Sequence, residues 1–245
     1  MILITRPKAQ SKNLQFKLRS NDYATFQESF YSFKYYRRKV SCHANEYYIF
    51  PSVNSVESLK KNKQISKFRN ANILAIGLKV KKILIKSGCK NLIVTTSDSK
   101  SMLKIINSPK FKNKSFTYLS SNIVNEDFFI EAHKKKLKIK KKIIYKTISI
   151  RTFSNKLIEY FKLNKVKGVV FYSQLPARIF IHLINKYRIL PNAEQLHIFC
   201  ISERVARPLK EHKFNKVYVA KQPNELSIVS LIKKSNICLL YTSPS

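Results

Sequence analysis

The sequence predicts an α/β protein: two similar parallel-sheet lobes joined by a two-stranded antiparallel ribbon, with the first lobe discontinuous in the chain. Three observations predict it. Short apolar runs that suit buried strands alternate with stretches of helical apolar spacing, as in βα units stacked into parallel sheets covered on both faces. The array occurs twice. Phe50 to Ser52 and Phe171 to Ser173 both read F-x-S, a strand that runs out at a serine opening a helix, at an offset of 121 residues. Ala75-Ile76-Gly77, with Val80 and Leu84 after it, matches Cys200-Ile201-Ser202, with Val205 and Leu209, at a constant offset of 125. Finally, the second array opens on a helix and lacks a first strand, whereas the N-terminal strand and helix have no sheet of their own.

Taken in order, residues 2–5 read as a buried strand, and 8–18 as a helix with Leu14 and Leu18 at helical spacing and Ser11 available as a cap. Residues 26–36 alternate aromatic and polar side chains and suit one extended segment, and 37–46 is polar loop. The first array follows: strands at 47–50, 73–76, 91–94 and 115–119, helices at 53–61, 78–87, 99–107 and 122–136. Residues 134–142 carry seven lysines and read as a solvated helix end, and 143–148 is extended. The second array has helices at 153–163, 175–186, 203–211 and 224–234, and strands at 168–172, 196–200 and 215–219.

The missing strand sets the domain plan. Residues 1–25 and 150–236 make lobe 1, and 37–140 lobe 2. Residues 26–36 and 143–148 are the connecting strands, paired antiparallel so that their backbone groups are satisfied, and a cleft lies between the lobes. Residues 237–245 break the helical pattern before them and form a tail with no assigned role.

Bulk properties narrow the function. The net charge of +35 draws attention to nucleic acid, membrane surfaces or polyanionic substrates. Lys outnumbers Arg 38 to 10, in a chain rich in Asn and Ile and poor in Gly and Ala, which also fits a composition biased by an A- and T-rich genome. Cysteines 42, 89, 200 and 238 form no C-x-x-C pair, Cys89 and Cys200 read as small buried residues, and a reduced, cytoplasmic setting is expected. The first seven residues lack the apolar core of a signal peptide, and no run approaches the ~18 residues of a membrane span. The five histidines show no metal-ligand spacing, so no metal is expected, and with three glycines there is no phosphate-cradling loop.

Seven motifs in order then resemble the uroporphyrinogen-III synthase family. They are I-L-I-T-R-P at residues 2–7, F-x-S-x-N-x-V at 50–56, A-I-G at 75–77, Y-x-T at 145–147, V-x-F-x-S at 169–173, I-S-x-x-V-A at 201–206 and V-x-V-A at 217–220. The family's two-lobed fold agrees with the strand count. Two departures stand out: Val80 and Val205 occupy places where the family often has threonine, and Ser202 replaces a glycine.

The resemblance implies a cyclising lyase of haem biosynthesis. It would close hydroxymethylbilane, a linear tetrapyrrole with eight carboxylates, into uroporphyrinogen III with its last ring inverted and water lost. No cofactor is implied, and the enzyme is expected to be a monomer without membrane or specific nucleic-acid partners. Carboxylates suit helix N-termini, and the strand-to-helix turns at Ser52, Gly77, Ser173 and Ser202 offer four. Arg6, Lys146 and Lys221 are further carboxylate-binding candidates. Tyr145, matching the family's tyrosine in Y-x-T, is the candidate proton donor. Its phenol, ordinarily near pKa 10, is protonated at neutral pH and faces the cleft if Ile144 faces away. The rival readings are a basic nucleic-acid-binding module, which lacks an aromatic RNA-binding signature or zinc finger, and a solute-binding protein, which lacks a signal peptide.

Overall fold

The computed structural model describes residues 1–37, 39–124, 126–212 and 214–235. The tail assigned to residues 237–245 lies outside them.

Five strands form one sheet, all parallel, in the order β11 (Val217–Val219), β10 (His197–Cys200), β9 (Gly168–Phe171), β1 (Ile2–Ile4) and β2 (Thr25–Gln27). Six form the other: β3 (Tyr31–Tyr35), β8 (Lys138–Ser149), β7 (Ser115–Ser121), β4 (Glu46–Phe50), β5 (Asn72–Ile76) and β6 (Leu92–Thr96). The helices between them are α1 (Lys8–Arg19), α2 (Val53–Lys61), α3 (Leu78–Lys86), α4 (Ser99–Ile106), α5 (Glu126–Lys134), α6 (Asn155–Lys162), α7 (Gln174–Lys186), α8 (Leu190–Ala193), α9 (Glu203–Glu211) and α10 (Glu225–Lys234). The chain divides into two compact units, one made of residues 1–32 and those from 149 onward, the other of residues 33–148.

In the first unit β1 supplies the strand that the second array lacks. Its three apolar residues are buried because β9 pairs with one edge and β2 with the other. Ile2, Ile4, Val170 and Phe199 pack against Leu14 and Leu18 of α1 and Ile228 and Ile232 of α10. Phe171 meets Phe180 of α7 at 5.5 Å in a cluster of rings that includes Phe30, Phe153 and Phe161.

The second unit shows the two-residue period of a strand buried on both faces. Tyr48 and Phe50 point with Val56 and Leu59 of α2 and Val80 and Leu84 of α3 into one core. Ile49 and Leu74 point the other way, onto Met102, Leu103 and Ile106 of α4 and Phe128 of α5.

Several expectations are corrected. Residues 26–36 are two strands, because residues 25–30 first run beside β1, with Glu28 N–H donating to Ile4 C=O and Phe30 N–H to Thr5 C=O, and only then does the chain turn onto β8. The lysine run is not a helix end. Helix α5 stops at Lys134, and β8 starts at Lys138 as a parallel partner of β7. Tyr36 N–H donates to Ile144 C=O and Ile150 N–H to Phe30 C=O, so β3 runs antiparallel beside only the second half of β8. The lysines therefore line an open sheet edge, where charge opposes edge-to-edge pairing. Ser11 does not cap α1. Pro7 holds that position, and Ser11 Oγ donates back to the carbonyls of Arg6 and Pro7. The helix expected over 122–136 is shorter, and α8 was not expected.

Ile144 and Tyr145 do not face opposite ways: both belong to the core that Tyr48 and Phe50 enter. The register with β7 slips between Ser120, which pairs with Ile143, and Ser121, which pairs with Tyr145. This bulge interrupts the alternation. It is pinned by the Ile144 carbonyl, which accepts from Ser58 Oγ at 2.7 Å and from Tyr36 N–H at 3.1 Å.

Candidate active site

In each sheet the strand order reverses once, between β4 and β7 in one and between β1 and β9 in the other. Parallel α/β sheets gather ligands beyond the carboxyl ends of strands at such points. The candidate turns lie there or next to it.

In the second unit Ser52 ends β4 and caps α2, its Oγ accepting the Ser55 N–H at 3.3 Å. The same oxygen lies 3.0 Å from the Tyr145 hydroxyl and 3.2 Å from Ser55 Oγ. Tyr145 is 6% exposed, edge-on to Phe33 and 6.2 Å from Tyr35, whose hydroxyl donates to Asn54 Oδ1. Burial raises the Tyr145 phenol above its ordinary pKa, the Ser52 bond opposes the rise, and Tyr35 adds to it. The phenol is therefore a protonated donor at neutral pH. Two residues on, Thr147 is tied to β7 through Ser121 Oγ at 2.8 Å and through its N–H to Asn122 Oδ1.

Gly77 ends β5 with φ +97, a conformation that side chains rarely adopt. A Cβ there would meet only Val80 at 4.0 Å, so the requirement is backbone conformation rather than space. No side chain caps α3. Val80 belongs to the core and packs with Val56, Leu59 and Leu84. Val205 is equally buried.

In the first unit Ser173 and Ser202 open α7 and α9 in the extended conformation of a cap, yet neither side chain caps its helix. Gln174 Nε2 donates to Arg204 C=O at 2.8 Å, so these two N-termini lie side by side. The Tyr31 phenol lies instead beside the side chains of Ser173 and Arg6, both of which favour its charged form. Burial raises the Tyr31 phenol, with Arg6 and Ser173 opposing. The Arg6 guanidinium lies over the Tyr172 ring, 4.1 Å from its centre. Arg6 enters none of the four ion pairs among the described residues.

The candidates thus fall into two groups. Ser52, Gly77 and Tyr145 belong to the second unit, and Arg6, Ser173 and Ser202 to the first. Lys146 is exposed on β8 between buried Tyr145 and Thr147, hence on the opposite face from the phenol. Lys221 is exposed in the loop after β11. Sequence reasoning missed Tyr31, whose signal was its place in the middle of the aromatic segment 26–36. It makes with Ser173 a counterpart of the Tyr145–Ser52 pair. Among the described residues, no group of three or more His, Cys, Asp or Glu could hold a metal ion, and no helix is long and apolar enough to cross a membrane.

A family model described as uroporphyrinogen-III synthase HemD matches residues 28–230. No curated protein matches the chain. Among solved structures, the chain is similar to uroporphyrinogen-III synthetase from Helicobacter pylori, at 18% identity and a TM-score of 0.66, over 95% of this chain and 98% of that one. It is also similar to a mutant uroporphyrinogen III synthase from Thermus thermophilus, at 11% identity and a TM-score of 0.62, over 96% and 98% of the two chains. At these identities the structural likeness shows the fold.

Proposed function

Since the chain belongs to the uroporphyrinogen-III synthase family, a family of cyclising lyases in tetrapyrrole biosynthesis, we propose that Tyr145 and the strand-to-helix turns carry that reaction here. The observation that supports this most is the bond of Tyr145 to Ser52, which holds a buried phenol at the end of β4 next to a strand-order reversal.

The substrate is hydroxymethylbilane. Its carboxylates bind where helix N-termini are open: at Gly77, and at the paired ends of α7 and α9, whose serines leave the backbone N–H groups uncapped. Arg6, held over the Tyr172 ring, adds a guanidinium to the second of these. The exposed Lys146 and Lys221 add charge at the periphery. The +35 net charge that suggested nucleic acid serves, in this reading, a polycarboxylate substrate.

Tyr145 donates its proton to the departing hydroxyl, which leaves as water. To do so its O–H must turn to the substrate, so the Ser52 O–H turns to the phenol oxygen and stabilises the charge that develops there. The cation left behind is attacked by the last pyrrole through its substituted carbon, giving a spiro intermediate. That ring opens and recloses inverted. The proton shed by the pyrrole carbon on closure restores the phenol, so protons balance and water is the only other product. The enzyme works as a cytoplasmic monomer without a cofactor.

The test is incubation with freshly made hydroxymethylbilane, then oxidation and separation of porphyrin isomers. Enzyme-dependent formation of the inverted isomer is expected. Formation of only the uninverted isomer, at the rate seen without enzyme, would refute the proposal.

A further inference from the structure

The second unit has a concavity of about 400 Å³ at the opposite edge of its sheet from Ser52 and Gly77, in the size range of small-molecule sites. It lies where β7 and β8 begin, with Ser115 and Lys138 as their first register pair. Five lysines line it, Lys112, Lys114, Lys135, Lys136 and Lys138, and no acidic residue does. Among the described residues the ion pairs use Lys60, Lys134, Lys141 and Lys210, none of which lines it. Its floor includes the buried ring of Phe111.

Ordinary helix chemistry does not account for these lysines. Cations near a helix C-terminus serve its open carbonyls. Here the carbonyls of Ala132 and His133, at the end of α5, already accept the N–H groups of Leu137 and Lys136. Those of Leu103 and Ile105, at the end of α4, accept from Asn107 and Ser108. Lys112 and Lys114 follow a short 3-10 turn, and Lys138 starts a strand. The walls are also fixed. Asn113 and Lys136 take left-handed conformations at φ 59 and 54, and Lys114 N–H donates to Phe111 C=O. Five exposed lysines around one concavity repel one another, and a multivalent anion relieves that repulsion.

We propose that this concavity binds a small polyphosphate anion, at a site separate from the ring-closing one. Three or more phosphate charges would meet the lysines at once, whereas a single sulfate engages fewer.

The test is calorimetric titration with inorganic tripolyphosphate at fixed ionic strength, with sulfate as comparison. The wild-type chain should bind one tripolyphosphate saturably, at least tenfold more tightly than sulfate. Lys112→Gln/Lys114→Gln/Lys135→Gln, all at exposed positions without left-handed backbone, should weaken binding at least tenfold and leave ring closure unchanged. Lys162→Gln/Lys233→Gln/Lys234→Gln removes the same charge from exposed positions of the other unit and should leave affinity within about twofold. Equal losses in the two triple variants, or equal affinity for the two anions, would overturn the proposal by showing attraction to net charge alone. Should the first triple variant fail to fold, Lys114→Gln alone is titrated, and an affinity within twofold of wild type would overturn it as well.

Discussion

The hydroxyl of Tyr145 lies 3.0 Å from Oγ of Ser52, ninety-three residues earlier, and that oxygen also accepts the N–H of Ser55 in the first turn of α2. One serine therefore fixes a helix start and the candidate donor together. The equivalent serines of the second array divide this work: Ser173 lies beside Tyr31 and caps nothing, and Ser202 makes no cap bond.

That difference predicts unequal effects of one substitution. Ser52→Ala removes a cap and should cost about 0.5–2 kcal/mol, seen as a melting temperature lower by roughly 2–4 °C per kcal/mol in a chain of this size. Ser202→Ala removes no cap bond and should change stability by less than about 0.5 kcal/mol. Thermal unfolding of the two variants side by side checks this, and equal losses would contradict the assignment.

Ser52 should also leave a mark on pH dependence. Burial raises the Tyr145 phenol, and Ser52 opposes the rise. A phenol whose folded pKa is raised contributes stability that is present below its unfolded value of about 10 and is lost as pH rises through the folded value. Because the phenol is raised, turnover should stay level from neutral pH past the ordinary tyrosine value of about 10 and fall only above it. In Ser52→Ala the falling limb should move to higher pH while the level part drops. A limb that moves to lower pH would contradict the role given to Ser52.

Arg6 should act on binding. Arg6→Gln removes a charge-assisted contact worth about 1.5–3 kcal/mol, so KM for hydroxymethylbilane should rise roughly 10- to 100-fold with kcat within about threefold. A fall in kcat at unchanged KM would place Arg6 in the chemistry instead.

The thiols give an independent check on the fold. Burial pushes Cys89 up to about 11 and Cys200 up to about 12. At pH 8 a water-soluble alkylating agent should spare both in the native chain and, of the three cysteines among the described residues, modify half-buried Cys42 first, as read by peptide mass analysis. Early modification of Cys200 would mean that β10 is not the buried strand described.

Much of the fold was legible because it rests on local pattern. Buried parallel strands such as residues 168–171 and 197–200 are near-continuous apolar runs, and α9 fell where its spacing of Val205, Ala206 and Leu209 put it. The place of β1 followed from counting strands. What was not legible depends on tertiary contacts. The lysines of β8 look like a solvated helix because an open sheet edge is as wet as a helix surface. The bulge at Ile144 comes from Ser58 and Tyr36 meeting one carbonyl, and no local signal marks that meeting. Ser52 and Ser173 are alike in motif, and only their partners separate a capping serine from an uncapped one.

The measurement that tests the central claim most directly is turnover and isomer ratio of Tyr145→Phe across a range of enzyme concentrations. Only one oxygen is lost, and Ser52 keeps its bond to Ser55, so the fold and most of the substrate affinity should remain. Turnover should fall roughly 10- to 10⁴-fold, the range that a positioned proton donor supplies, without reaching zero, because the pyrrole nitrogen still expels the hydroxyl. At saturating enzyme the product should remain the inverted isomer, and at low enzyme the uninverted isomer should accumulate as free substrate closes in solution. Unchanged turnover would contradict the account and leave Tyr145 as a packing residue of the β4 core.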